Sequence, residues 1–315
     1  MKNSPKDDFQ QLKSQLEINP QQVVAKLENF IKEYMNKLER EGLVLGLSGG
    51  IDSAVVAALC TKAVGPEKVL ALIMPDEDSQ RQHLRDALNF AKKLGLKRKV
   101  INITPYLKNL GAYQLFPLNK IFLPKRLKEK LVKKAFNFYQ EKTGVNPFSD
   151  SMVGFKDKKF AYWLRTGNAY YRIKHRLRMV LLYLWAEKEN RLVVGAANKT
   201  EAAIGFFVKH GCDQATDIMP LLGLYKTQVR QLAQYLKIPQ GIINKAPSPD
   251  IIPGLIDEEV IGLNYETLDK ILENLEGNLT TGAIAKKLNL KKQTVEKIKE
   301  LKKKSEHMRR VYSPI

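Results

Sequence analysis

Apolar residues recur at helical spacing over residues 21–39, where Val24, Leu27, Ile31, Tyr34 and Leu38 share one face of an amphipathic helix. A short apolar run, Leu43–Leu47, follows and ends at Ser48-Gly49-Gly50. Such a run reads as a strand buried on both faces of a parallel sheet. Ser53–Val64 is a helix of small apolar residues that Gly65-Pro66 stops. Val69–Met74 is a second buried strand. Residues 79–95 carry Leu84, Ala87, Leu88, Ala91 and Leu94 on one helical face, and Lys99–Ile103 reads as a third strand. After a long helix around 170–190, Leu192–Gly195 is a fourth strand. Strand–helix alternation at this spacing predicts βαβ units and an α/β fold, a doubly wound parallel sheet with helices on both faces. Two stretches break the alternation. Residues 104–165 are mixed, aromatic and basic, and read as a helical insertion. Residues 277–310 read as two short helices around Leu288-Asn289-Leu290. The expected organisation is one α/β domain over 1–276, with an insertion at about 104–165, and a helical extension over 277–315 packed on it.

Composition narrows the function classes. With 315 residues, 44% hydrophobic and 27% charged, the chain can bury a full core and is not broadly disordered. Two cysteines, Cys60 and Cys212, cannot form a disulfide framework or a four-cysteine zinc site. The formal charge of +20 implies anionic partners. Between Lys92 and Lys142 there are 14 Lys/Arg against two Glu, which suits either a cover over an anionic ligand or a solvated helical surface. The C-terminal pair superficially resembles a helix-turn-helix, but a basic helix pair there more often docks as a bundle, so nucleic acid is not the expected partner. Residues 1–20 are polar without an apolar leader core, and Met179–Ala186 is too short to span a bilayer. The expected setting is the cytoplasm with reduced thiols, away from membranes.

The chemistry concentrates at Ser48-Gly49-Gly50-Ile51-Asp52-Ser53, between a strand and a helix. Two glycines let the backbone approach an anion, and the following helix aims its N–H groups and positive dipole end at phosphate. Ser48 and Ser53 add hydroxyls. Asp52 would repel phosphate unless a cation such as Mg²⁺ lay between them. The expected site is a metal–polyphosphate cradle at the carboxyl end of a parallel strand. No Gly-Lys-Ser/Thr follows, which excludes the Walker loop.

This loop resembles the pyrophosphate loop of the N-type ATP pyrophosphatases, whose adenine nucleotide alpha hydrolase-like fold is the one expected here. Further motifs follow in order: Leu192–Glu201, Gly205–Gly211, Asp217–Val229, Pro247–Glu259, Gly262-Leu263-Asn264-Tyr265 and Ser305–Arg310. The succession, over roughly 22–103 and 165–312, is similar to the ammonia-dependent NAD synthetases. The resemblance implies that Ser48, Gly49, Gly50, Asp52, Ser53, Lys226 and Ser248 bind ATP, and that Asp52 and Glu201 hold Mg²⁺. It implies catalytic roles for Asp52, Lys226 and Asp217. Arg172, Arg176, Phe206, Lys209, Asp213, Asp217 and His307 fall on the acceptor-substrate side. The implied reaction amidates deamido-NAD with ammonia through an acyl-adenylate, consuming ATP and releasing AMP and pyrophosphate. A homodimer is implied too, and possible separate partners include a supplier of ammonia, since the chain has no room for an amidase domain. Each residue also has a plainer reading: Glu201 as a first-turn helix carboxylate, Lys226 as a surface lysine, Asp217 as a loop cap.

The chain departs from the family pattern on the acceptor side. Gly195-Ala196-Ala197-Asn198 stands for Gly-Thr-Gly-Asn. Arg172-Ile173-Lys174-His175-Arg176-Leu177-Arg178-Met179 stands for Asn-x-x-Ala-Arg-x-Arg-Met. Cys212-Asp213-Gln214-Ala215-Thr216 stands where Asp-Gly-Gly is usual. Val208 replaces a threonine and Met308 a lysine. The alternatives are therefore a paralogous ATP pyrophosphatase that adenylates another carboxylate or an RNA base, and a non-catalytic nucleic-acid binder using the C-terminal helices.

Overall fold

A computed structural model describes residues 16–115, 124–152, 158–246 and 255–312. The strands are β1 (Gly42–Gly46), β2 (Val69–Ile73), β3 (Lys97–Val100) and β4 (Arg191–Val194). The helices are α1 (Pro20–Lys37), α2 (Ile51–Val64), α3 (Arg81–Lys93), α4 (Thr104–Asn109), α5 (Lys125–Thr143), α6 (Pro147–Asp150), α7 (Lys158–Lys188), α8 (Lys199–Ile204), α9 (Lys226–Tyr235), α10 (Gln240–Ile243), α11 (Asp257–Ile261), α12 (Tyr265–Glu276), α13 (Thr281–Leu288), α14 (Lys292–Lys304) and α15 (Glu306–Arg309).

The strands form one parallel sheet in the order β3-β2-β1-β4. Ile218 continues it with a single parallel bridge to Val194. Alternation along the strands sorts the two faces. Leu43, Leu45, Val69, Ala71, Ile73, Leu192 and Val194 enter one core with α1, α2, α3 and α9. Val44, Leu70, Leu72 and Val193 enter the opposite core beneath α7. This period of two is why the strands read as unbroken apolar runs, and it gives the doubly wound arrangement expected. Helix α2 lies in the middle of the first core and is buried nearly all round, from Ile51 to Ala63. Its small residues let α1, α9 and the sheet approach closely. Each fully buried Leu or Val side chain contributes about 1.5–3 kcal/mol.

The third strand occupies Lys97–Val100 rather than 99–103. It is the sheet edge, and Lys97, Arg98 and Val100 are exposed there, so backbone pairing and not side-chain burial defines it. Ile101 and Ile103 follow it, donating to the Ile73 and Pro75 carbonyls at 2.9 Å, and Ile103 is fully buried. The described residues of the basic stretch form α4, a 3-10 turn at Ala112–Leu115, α5, α6 and the first turns of α7. Helices α12, α13 and α14 build a separate core that includes Tyr265, Leu268, Ile284, Val295 and Leu301 and reaches Ile204 of α8. Asn289, in the left-handed region at φ 52°, ends α13 and turns the chain into α14.

Candidate active site

The loop after β1 is shaped by its own hydroxyls. Ser48 N–H donates to Ser53 Oγ at 3.2 Å, Gly50 N–H to Ser48 Oγ at 3.2 Å, and Ser53 Oγ–H to the Gly50 carbonyl at 3.0 Å. Gly49 has φ +82°, and a Cβ there would lie 2.3 Å from the His83 carbonyl oxygen. Only glycine fits. Lys245 Nζ donates to the Gly49 carbonyl at 3.0 Å and pairs with Asp86, which ties the loop to α3.

Beside this loop stands a buried charge cluster. Asn198 caps α8 by accepting from Glu201 N–H at 3.0 Å, and its amide donates to Asp52 Oδ1 at 3.0 Å. Lys226 opens α9 with its side chain 2% exposed. Its Nζ donates to Asp52 Oδ2 at 2.6 Å and to Glu201 Oε1 at 3.0 Å, and lies 5.0 Å from the centre of the Tyr265 ring. The backbone beneath is fixed by Asp269: Thr200 Oγ–H donates to it at 2.5 Å, and Thr227 N–H at 2.8 Å. Lys226 N–H donates to Thr200 Oγ at 2.9 Å. A third buried carboxylate, Asp257, accepts from Tyr265 OH at 2.8 Å through Oδ2. Its Oδ1 has no hydrogen-bond partner among the described residues.

One ammonium therefore faces three carboxylates. Burial pushes the Glu201 carboxyl up to about 8; Lys226 draws it down, but Asp52 and Asp257 push it further up. Burial works against the charge on Lys226, yet Asp52, Glu201 and Asp257 outweigh it and hold the ammonium well above its ordinary range. Burial also raises Asp257. The cluster favours the charged form of Lys226 and the protonated form of its carboxyls.

A cleft of about 240 Å³ opens over this cluster. Ser48, Gly50, Asp52, Ser53, Glu201, Lys226 and Asp257 line its phosphate half, and Met74, His175, Arg178, Phe206, Cys212 and Asp213 line the other. Arg178 Nε donates to the Met74 carbonyl at 3.1 Å. Burial works to raise Asp213, but His175 and Arg178 outweigh it and hold the carboxyl below its usual range.

Not every residue expected at the site lines this cleft. Gly49 contributes backbone behind it. Arg172, Arg176, Lys209, Asp217 and His307 are absent from its lining. Arg176 donates to the Lys209 carbonyl at 3.4 Å, and Lys209 Nζ donates to the His307 and Arg310 carbonyls at 2.8 and 2.6 Å. These residues join α7 to the C-terminal helices. Asp217 is exposed, accepts from Val193 N–H at 2.8 Å and from Tyr183 OH at 3.0 Å, and closes the open edge of β4. Ser248 lies outside the described residues. Asn198, Asp257, Tyr265, His175 and Lys245 join the site without having been singled out. The spacing Asn198-x-x-Glu201 carries a legible helix-cap signal; Tyr265 and His175 lie within the motif segments, but nothing local to either marks it as a site residue.

Comparison with known proteins decides the relationship. A family profile described as NAD synthase matches residues 23–121 and 120–312. The chain belongs to the NAD synthase family. It is 44% identical over 250 residues to the NH(3)-dependent NAD(+) synthetase of Thermotoga maritima, covering 79% of this chain and 85% of that one. With the Methanocaldococcus jannaschii NH(3)-dependent NAD(+) synthetase it shares 36% identity over 289 residues, 92% and 94% of the two chains. Among solved structures, the NMN synthetase of Francisella tularensis superposes with a TM-score of 0.69 at 28% identity, covering 95% and 99% of the two chains. The Campylobacter jejuni NH3-dependent NAD synthetase gives 0.66 at 25% identity, covering 95% and 100%. The phosphate loop, Glu201 and Lys226 of this NAD synthase family member all lie within the matched residues.

Proposed function

We propose that this chain is an ammonia-dependent NAD synthetase. The deamido-NAD carboxylate attacks the α-phosphorus of ATP, the bond to the bridging oxygen breaks, and pyrophosphate leaves. Ammonia then attacks the acyl carbon of the adenylate, the bond to AMP breaks, and a proton is lost. The carrying observation is Lys226 held between Asp52 and Glu201 at the mouth of the phosphate loop, 2.6 and 3.0 Å from their oxygens.

The residues present fit Mg²⁺. Both oxygens touch the same ammonium, so they stand no more than about 5.6 Å apart. They are hard donors on two fixed helix starts, and Asp257 offers a buried oxygen without a partner in the same cleft. Asp52 and Glu201 would hold the ion, with Asp257 beside them. When bound, Mg²⁺ neutralises polyphosphate charge and stabilises the departing pyrophosphate. The chain's own part is positioning and charge. The α2 amides and the Ser48 and Ser53 hydroxyls receive phosphate oxygens, and Lys226 supplies a permanent cation for the charge that moves onto the leaving group. No nucleophilic side chain is needed.

The same reading gives a cytoplasmic homodimer that takes ammonia free or from a separate supplier. Val180 and Leu184, about half exposed on α7, support a covering subunit there. No helix among the described residues is long and apolar enough to cross a membrane.

The test is product analysis by mass. Mg²⁺-ATP, an ammonium salt and deamido-NAD are supplied together and then with each omitted. NAD, AMP and pyrophosphate from the complete mixture alone support the reading. ATP bound without NAD formed sinks it. Because a structural neighbour is an NMN synthetase, the mononucleotide acid belongs in the panel.

A further inference from the structure

The half of the cleft away from the phosphate loop holds a cluster in which only Asp213 has an expected role, on the acceptor-substrate side. His175 comes from α7, and Cys212 and Asp213 from the loop after α8. Cys212 N–H donates to the His175 carbonyl at 3.1 Å, so the two elements are fixed to each other at this point. His175 Nδ1 lies 2.8 Å from Asp213 Oδ2 and 3.6 Å from Cys212 Sγ, and Sγ lies 3.7 Å from Asp213 Oδ1. One ligand atom from each residue falls within 4.8 Å of the others.

The arrangement is not a nucleophilic relay. A relay needs the thiol and the carboxylate on opposite ring nitrogens, so that a proton can pass through the imidazole. Here both gather at Nδ1. Three donors of different type converging on one point match a cation instead. Zinc takes sulfur at about 2.3 Å, and nitrogen and oxygen at about 2.0–2.2 Å, in tetrahedral array, which sets sulfur about 3.6 Å from either of the others and nitrogen about 3.4 Å from oxygen. The sulfur–nitrogen separation already matches. The 2.8 Å contact to nitrogen is made by Oδ2 and the 3.7 Å contact to sulfur by Oδ1, so the carboxylate, 35% exposed, must turn to bring one oxygen to the position that serves both. The chain's departures also fall here: His175 stands where the similar family pattern has alanine, Cys212 and Asp213 lie in the segment that stands where Asp-Gly-Gly is usual, and the fold brings the two segments together.

We infer that His175, Cys212 and Asp213 form a binding site for a divalent cation of the zinc class, separate from the Asp52–Glu201 site, with its remaining coordination position toward the cleft. On binding, the Cys212 thiol releases its proton to solvent, and His175 keeps its proton on Nε2 so that Nδ1 can ligate. The mixed sulfur–nitrogen–oxygen set favours zinc or cobalt over magnesium. The ion would clamp α7 to the loop and narrow the acceptor half.

The probe is Co²⁺ titrated into the full chain, purified with chelator and free of nucleotide, and read by absorption. The site requires a thiolate-to-cobalt charge-transfer band that saturates at one equivalent and is displaced by Zn²⁺. Cys60 is fully buried within α2 and cannot supply it. Cys212→Ser must abolish the band. His175→Ala must weaken Co²⁺ binding by at least about 10–100-fold, the range reported for loss of mere supporting partners. Glu201→Gln must leave the band intact. A wild-type chain without the band overturns the proposal, as does Zn²⁺ affinity unchanged in both Cys212→Ser and His175→Ala. Circular dichroism of the metal-free variants separates lost folding from lost ligation, with His175→Gln as the milder variant. The readout involves no substrate, so a chain with the band and no NAD product sinks the synthetase reading alone.

Discussion

Replacing Glu201 by Gln should stabilise the metal-free protein, and increasingly so as pH rises. The Glu201 side chain is 15% exposed, and its carboxyl is pushed from 4.5 up to about 8. Between those values the folded chain holds a proton that the unfolded chain has lost, so stability declines with rising pH over that window. Glutamine mimics the protonated acid without the titration. Below about pH 4.5 the two proteins should match. At pH 7 the variant should lead by about 3 kcal/mol, and above pH 8 by about 5 kcal/mol, from the energy per pH unit of displacement. Urea unfolding in excess chelator, at acidic, neutral and alkaline pH, measures the gap. Adding Mg²⁺ at alkaline pH should then raise the wild type and not the variant, since binding stabilises only the chain that binds. A gap that stays flat with pH, or a wild type that leads at alkaline pH, would refute the reasoning. Glu201 would then be ionised throughout, with its pairing to Lys226 outweighing its burial.

Three further outcomes follow from the same geometry. Lys226→Met leaves Asp52, Glu201 and Asp257 without their shared cation; it should cost about 3–5 kcal/mol in denaturant unfolding and abolish AMP formation. Gly49→Ala forces a left-handed residue and a Cβ 2.3 Å from the His83 carbonyl; it should cost at least about 1–3 kcal/mol and weaken ATP binding, read by calorimetry. Asn198→Ala removes the α8 cap and the amide that orients Asp52. It should cost about 0.5–2 kcal/mol in thermal unfolding and lower kcat more than it raises the KM for ATP.

How much of this was legible along the chain depends on the reach of each interaction. Strands buried on both faces announce themselves as apolar runs, so β1, β2 and β4 were readable. The edge strand β3 starts two residues and ends three residues earlier than expected because its ladder depends on backbone groups, while the apolar Ile101 and Ile103 pack beyond its end. The phosphate loop was readable because its glycines, hydroxyls and carboxylate are contiguous. The rest of the site is assembled across the sequence. Asp257 meets Tyr265 through a turn between two helices, and His175 meets Asp213 across 38 positions. No local period reports such contacts. Asp217 has a contact that its motif does not report: its carboxylate satisfies Val193 N–H at the sheet edge, where an unpaired donor would otherwise stand exposed.

The cleft divides along the same line as the departures from the family pattern. Its phosphate half is a closed accounting of charge: one ammonium, three carboxylates, and backbone pinned by Asn198, Thr200 and Asp269. Removing Lys226 leaves the carboxylates without their shared cation, so this half tolerates little at that position. The acceptor half is built differently. His175, Cys212 and Asp213 lie partly exposed at the meeting of α7 and a loop, and a substitution there rearranges ligands without unbalancing a buried cluster. A change in acceptor preference, if the substrate panel finds one, must be traceable to residues 172–178 and 206–213 and must leave the Mg²⁺ and ATP dependence of the first step untouched.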